Sequence, residues 1–233
     1  MSRPEHFVLV HGVGHGAWCW FKVRCHLESA GHKVSCLDLL GHSDPNSILC
    51  IQHYDAPLLD FMSHLNEDEK VVLVGHSAGG LSLTHAMHAF KSKIKLAIFV
   101  AATMLPWGYH TEEDIKDGVP NLSRFGDVYE LTFNSGPDNP PTSDSTLACM
   151  LLRPWPACIA RAQYDREGDV EDIRRVYIKT SYDNMVSPEQ QDGMIRRWPP
   201  DDVLVIDSDH SPFFSAAAQL SQLIIKASLA TEN

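Results

Sequence analysis

The chain has 233 residues, 44% hydrophobic and 21% charged, the make-up of one globular domain with a sizeable core spanning residues 1–233. Its formal net charge of -11 at pH 7 argues against nucleic acid or an anionic membrane as a partner, and the basic pairs Arg174-Arg175 and Arg196-Arg197 read as solvated faces. No apolar run has the length of a membrane span, and Met1 to His6 lacks the apolar stretch of a signal peptide.

His6 to Val10 reads as a buried strand, followed by the loop His11-Gly-Val-Gly-His-Gly16 and a helix from Ala17 to Ala30, ending before Gly31. Lys33 to Leu37 is a second strand, and Gly41 to Pro45 has turn chemistry. Asp55 to Leu65 suits an amphipathic helix, with Leu58, Leu59, Met62 and Leu65 at helical spacing. Val71 to Val74 is a strand, about Ala78 to Phe90 a helix, and Ile94 to Val100 a strand. Such alternation predicts an α/β fold with a mostly parallel sheet and helices on both faces.

The alternation breaks over about residues 104–165. From Pro106 to about Pro156 the chain is rich in Pro, Gly, Asn and Asp, with no strand-helix unit in view. This reads as a cap inserted over the C-terminal edge of the sheet, where open α/β sheets bind ligands. Its aromatics, Trp107, Tyr109, Phe125, Tyr129, Phe133 and Trp155, are candidates for an apolar pocket wall, as Gly12 and His15 are for the pocket; a small core of the cap itself is at least as good a reading of any one of the aromatics. The alternation resumes with a strand at Arg175 to Thr180, a helix at Pro188 to Trp198, a strand at Val203 to Ile206 and a closing helix at Phe213 to Leu229.

The chemistry centres on Gly75-His76-Ser77-Ala78-Gly79, placed between a buried strand and a helix. A serine held in a strained turn at this junction needs neighbours without Cβ atoms, and the helix N-terminus supplies free N–H groups. Ser77 is therefore the candidate nucleophile. A serine needs a base, and the base an orienting acid, each from a turn after a strand. His210 is the only histidine after the cap, which makes it the base. Asp183, in the turn after the strand ending at Thr180, is preferred as the acid over Asp207 and Asp209, which flank His210 in sequence. Backbone N–H groups of Ala78 and of the loop after the first strand, Val13 foremost, would hold the oxyanion. A rate that falls in acid with one histidine-like titration is expected. No metal or organic cofactor is required. The six cysteines form no Cys-x-x-Cys pair and no zinc spacing, so reduced thiols in a cytoplasmic protein are expected.

A competing pattern is present. Gly12-x-Gly14-x-x-Ala17 followed by Asp38 is close to a dinucleotide fingerprint and would suit an NAD-dependent oxidoreductase. That reading leaves Ser77, Asp183 and His210 unexplained.

Five stretches, His6-Phe-Val-Leu-Val-His-Gly12, Gly16-Ala-Trp-Cys-Trp20, Ala30-Gly-His-Lys-Val34, Gly75-His-Ser-Ala-Gly-Gly80 and Asp207-Ser-Asp-His-Ser211, resemble the plant methylesterase family of α/β-hydrolases, kin to the hydroxynitrile lyases. Thr111 to Pro120, Gly126 to Glu130, Asn139 to Thr142, Met194 to Pro200 and Ser211 to Ser215 are similar to the branch that cleaves methyl indole-3-acetate. The resemblance implies an α/β-hydrolase fold, Ser77, Asp183 and His210 as the triad, and Val13 and Ala78 as oxyanion donors. It also implies a small methyl ester of a plant-hormone-like acid as substrate, of indole-3-acetate, jasmonate or salicylate type. The lyases carry threonine at the position of Gly12, a Glu-Ser-Cys elbow and a lysine at the position of Ser211, so esterase is the better reading. A non-catalytic small-molecule binder is the alternative from another class. Two departures stand out: the chain is shorter than the family between Leu39 and Tyr54, and after Ser143 it passes almost directly to Leu147 to Pro154 without a further helical stretch. The oligomeric state is left open, a homodimer included.

Overall fold

The computed structural model describes residues 3–40, 50–108, 112–116, 128–129, 140–157, 159, 162, 164 and 170–230. Its strands are β1 (His6–Val10), β2 (Lys33–Leu37), β3 (Val71–His76), β4 (Ile94–Val100), β5 (Val128–Tyr129), β6 (Trp155–Pro156), β7 (Arg175–Thr180) and β8 (Asp202–Ile206). Its helices are α1 (Phe21–Ser29), α2 (Ile51–Tyr54), α3 (Ala56–His64), α4 (Gly79–Phe90), α5 (Glu112–Lys116), α6 (Ser143–Leu151), α7 (Pro188–Arg197), α8 (Pro212–Ser215) and α9 (Ala217–Leu229). A six-stranded parallel sheet runs in the order β2-β1-β3-β4-β7-β8.

The central strands are continuous apolar runs because both of their faces are covered. Alternate side chains feed two cores. Phe7, Leu9, Val72, Val74, Leu96 and Ile98 pack with Val23 and Leu27 of α1 and Leu220 and Ile224 of α9. Val8, Val10, Leu73, Ala97 and Phe99 pack on the other face with Leu58 and Met62 of α3, Leu83 and Met87 of α4, and Met194 of α7. Edge strand β8 turns Leu204 and Ile206 inward and leaves Val203 and Val205 exposed.

The strand order decides where the site lies. β1 sits between β2 and β3, with Val10 level with Leu37 on one side and Gly75 on the other. The chain leaves β1 for β2 and returns to β3, so the ends of β1 and β3 part into a crevice of the kind that holds ligands in open α/β sheets. The loop from His11 and the turn at Ser77 both start there.

Three expectations are corrected. The stretch between β4 and β7 holds regular structure: β5 pairs antiparallel with β6, and α5 and α6 lie on either side of β5 in sequence. Helix α6 occupies Ser143–Leu151. It opens on a capping box in which the Thr142 hydroxyl accepts from Ser145 N–H at 3.1 Å and Thr142 N–H donates to Ser145 Oγ at 2.8 Å. The closing helix breaks at Ala216 (φ -141°, ψ 37°) into α8 and α9. The first helix begins as a 3-10 turn, Ala17–Trp20, before α1. The expected turn from Gly41 to Pro45 lies outside the described residues. Among the described residues no helix is long and apolar enough to cross a membrane, and no cluster of three or more His, Cys, Asp or Glu side chains could hold a metal.

Candidate active site

Ser77 stands at the turn from β3 into α4 with φ 53°, a left-handed conformation that costs a non-glycine residue energy. Three backbone hydrogen bonds hold it. Ser77 N–H donates to Val100 C=O at 3.3 Å, and Ser77 C=O accepts from Gly80 at 3.0 Å and Thr103 at 2.9 Å. The turn also needs Gly79: a Cβ there would come 2.7 Å from the His11 carbonyl oxygen and 2.9 Å from that of Val10.

Asp183 and His210 arrive from the turns after β7 and β8. His210 Nδ1–H donates to Asp183 Oδ2 at 2.8 Å, and Ser77 Oγ–H donates to His210 Nε2 at 3.0 Å. An ionised carboxylate can only accept, so the proton sits on Nδ1 and leaves Nε2 free to receive one. The Asp183 side chain is fully buried, and its other contacts are all donors: Thr180 Oγ1 at 2.9 Å, Met185 N–H at 2.8 Å and Val186 N–H at 2.8 Å. Burial pushes the Asp183 carboxyl up, but the bond and charge of His210 and the two backbone N–H groups outweigh it and hold the carboxyl below its ordinary value. Asp207 and Asp209 are engaged elsewhere, Asp207 with Ser181 Oγ and Asp209 with Ser211 N–H and Ser215 Oγ.

The loop from His11 supplies the second half of the site. Gly12 C=O accepts from His11 Nδ1 at 2.7 Å and from His15 N–H at 3.3 Å. In a trans peptide the N–H points opposite to the carbonyl, so these bonds aim Val13 N–H the other way. Among the described residues neither Val13 N–H nor Ala78 N–H donates to a backbone carbonyl. Ala78 is the N-cap of α4, where the helix dipole adds positive potential.

A model of the alpha/beta hydrolase family matches residues 7–223. Methylesterase 17 of Arabidopsis thaliana is 47% identical, the match covering 97% of this chain and 92% of the relative. The pFDCC methylesterase MES16 of the same plant is 37% identical over 95% of this chain and 94% of its own. The crystal structure of Arabidopsis methylesterase MES16 superposes with a TM-score of 0.77 at 34% identity, covering 96% of this chain and 98% of that one. That of polyneuridine aldehyde esterase gives 0.81 at 31% identity, covering 97% and 100%.

The chain belongs to the plant methylesterase family of alpha/beta hydrolases. It is a carboxylic ester hydrolase of that fold. The alignment with Methylesterase 17 runs over 255 positions, more than the chain's 233 residues, so the relative has residues without a counterpart here. The acid of the dinucleotide pattern has other work in this methylesterase: Asp38 Oδ1 accepts from Ala17 N–H at 2.7 Å at the start of the 3-10 turn.

Of the residues expected to line the pocket, Gly12 lies against Ser77. A Cβ on Gly12 would sit 2.8 Å from Ser77 Cβ and 3.0 Å from His76 Nδ1, so a lyase-like threonine would require this loop to move. His15 is buried beside it, with Nδ1 bonded to Val13 C=O at 3.0 Å and its ring stacked on Trp18. Trp107 is not brought to Ser77. Its ring stacks on His88 at the far end of α4, about 13 Å along the axis from the helix start. Trp155 is buried in the core on the α4 face. Tyr109, Phe125, Phe133 and the Tyr129 side chain lie outside the described residues.

Four residues matter here that the motifs did not reveal. His11 accepts from Leu39 N–H at 3.0 Å through Nε2 while Nδ1 holds the Gly12 carbonyl, tying the loop after β1 to the segment just past β2. His76 donates through Nε2 to the His210 carbonyl at 2.6 Å, which anchors the His210 backbone to the turn at Ser77. Burial, with His210 and His15 nearby, pushes the His76 imidazole well below its ordinary value, and burial holds His15 at about 4. Both rings stay neutral, so neither opposes a positive charge on His210, whose ring is 4.7 Å from that of His76. Buried Gln191 of α7 donates to Thr180 Oγ1 at 3.1 Å, and the Thr180 hydroxyl in turn donates to Asp183 Oδ2 at 2.9 Å.

Proposed function

We propose that this methylesterase hydrolyses methyl esters of small plant-hormone-like carboxylic acids, methyl indole-3-acetate first, through an acyl-enzyme on Ser77. The observation that carries the reading is the unbroken chain from Ser77 Oγ to His210 to Asp183, at 3.0 Å and 2.8 Å. Ser77 Oγ attacks the ester carbonyl carbon as His210 Nε2 takes its proton. The carbonyl π electrons move onto oxygen, where Val13 and Ala78 N–H groups hold the charge. Asp183 keeps the imidazolium oriented. The tetrahedral adduct collapses, the C–O bond to methoxide breaks, and His210 returns the proton to release methanol. Water then repeats the sequence on the acyl-enzyme: His210 takes its proton, the acid leaves, and Ser77 is restored.

The substrate class rests on family membership and on an oxyanion loop that crowds the nucleophile on the Gly12 side. The stretch of about residues 104–165 is proposed as the cap that bounds the acyl group. Methanol release from methyl indole-3-acetate, methyl jasmonate and methyl salicylate tests the assignment. The highest kcat/KM is expected for the indole ester. Equal or better turnover of another ester would reassign the acyl group, and ligand binding with no methanol from any ester would favour the binder reading.

A further inference from the structure

Helix α6 is tied to the rest of the molecule at both ends. In its first turn, Asp144 forms an ion pair with Lys22 of α1. Just past its last turn, Arg153 N–H donates to Gly14 C=O at 2.9 Å, in the same loop that presents Val13. Lys22 Nζ also lies 3.5 Å from the carbonyl oxygen of Phe214 in α8, the short helix that follows His210. The two anchors flank a stack of rings, His15 on Trp18 at 5.6 Å and Trp18 on Phe214 at 6.1 Å, which joins the oxyanion loop to the base's loop.

Few side chains of helix α6 are buried, with Leu147 and Leu151 half-buried. Of its side chains only Ala148 is buried, and Met150 is 69% exposed. A helix with so small an apolar face gains little from packing, so its end contacts decide where it sits. Asp144 is well placed for that, since a negative charge in the first turn is favoured by the helix dipole. Both partners are partly shielded, Lys22 at 33% and Asp144 at 23% exposure, so the pair is screened less than one in open solvent.

We propose that Lys22 is a positioning residue for ester hydrolysis: by pairing with Asp144 it seats helix α6 beside the oxyanion loop and so fixes the wall that meets the acyl group. This rests on the esterase reading above. Lys22 bonds to neither the triad nor the Gly12–Val13 peptide, so its loss acts on substrate binding more than on the chemical step. The test uses the full-length enzyme and the variants Lys22→Met, Asp144→Asn, both together, and Lys22→Arg. Each single neutral variant is expected to raise KM for a methyl ester about fivefold with kcat within about twofold of wild type. The double variant should be no worse than either single one, and Lys22→Arg should restore KM. Unchanged KM in both single variants, or effects that add in the double, would overturn the proposal. Amide hydrogen exchange over residues 143–151 provides a readout that needs no activity. It should quicken in Lys22→Met while residues 217–229 stay as in wild type; unchanged exchange in α6 would also overturn the proposal. If the wild type cleaves no ester, the esterase reading fails, and the exchange experiment still decides whether Lys22 seats the helix.

Discussion

Replacing Asp183 by asparagine changes little in shape and much in hydrogen bonding. The carboxylate accepts from four donors: His210 Nδ1–H, Thr180 Oγ1, Met185 N–H and Val186 N–H. An asparagine has a single acceptor oxygen. The two backbone N–H groups cannot turn, so that oxygen faces them and the NH2 faces His210 and Thr180. The threonine hydroxyl can rotate to accept. His210 can accept only by moving its proton to Nε2, and that nitrogen then donates to Ser77 Oγ when it should take the Ser77 proton. The working tautomer is regained only by turning the amide, which leaves the two partly buried backbone N–H groups without an acceptor at roughly 1–3 kcal/mol each. A barrier higher by about 4–5 kcal/mol lowers kcat by roughly three to four powers of ten. The assay is methanol release at saturating ester, with KM measured in parallel and expected within about threefold of wild type. A kcat for Asp183→Asn within tenfold of wild type would refute the tautomer argument.

Two other predictions concern the groups around His210. His76→Phe keeps an aromatic ring against Phe213 but loses the 2.6 Å bond to the His210 carbonyl; kcat should fall about tenfold to a hundredfold with KM little changed, and a variant with full kcat would show that the base's loop needs no such anchor. Burial keeps His15 at about 4 and His76 well below its ordinary value, whereas unfolding returns them to about 6.5. Below that pH the unfolded chain binds more protons than the folded one, so stability falls with pH, and for His15 the loss levels off only below about 4. For His15 alone the loss by pH 5 is on the order of 2 kcal/mol. Asp183, held below its ordinary value, adds a contribution that is present above the usual carboxylate range and lost as pH falls through its folded value. Urea unfolding at pH 7 and pH 5 should show this drop, smaller in His15→Phe; equal stability at the two pH values would contradict it.

The sheet was legible because its strands are covered on both faces. Runs such as Phe7-Val-Leu-Val10 and Val71-Val-Leu-Val74 serve two cores at once and read as strands without a tertiary context. The hydrogen-bonded chain of Ser77, His210 and Asp183 was legible because its residues obey local rules, a glycine-flanked serine after a strand and an acid and a histidine in later turns. Helix α6 was hidden because one buried alanine makes no apolar stripe, and its capping box uses Thr142 and Ser145 where glutamate or glutamine would have been the clearer signal. The break at Ala216 has no glycine or proline to announce it. His11, His76, Thr180 and Gln191 act through hydrogen bonds to residues brought close only by the fold, so no spacing along the chain could expose them.

The central claim is that Ser77 is the nucleophile of an ester hydrolase. Its most direct test is methanol release from the ester panel by the wild type and by folded Ser77→Ala. Release by the wild type that disappears in the variant is the result expected. Release that survives the substitution, or a folded wild type that releases no methanol from any ester, would contradict the claim.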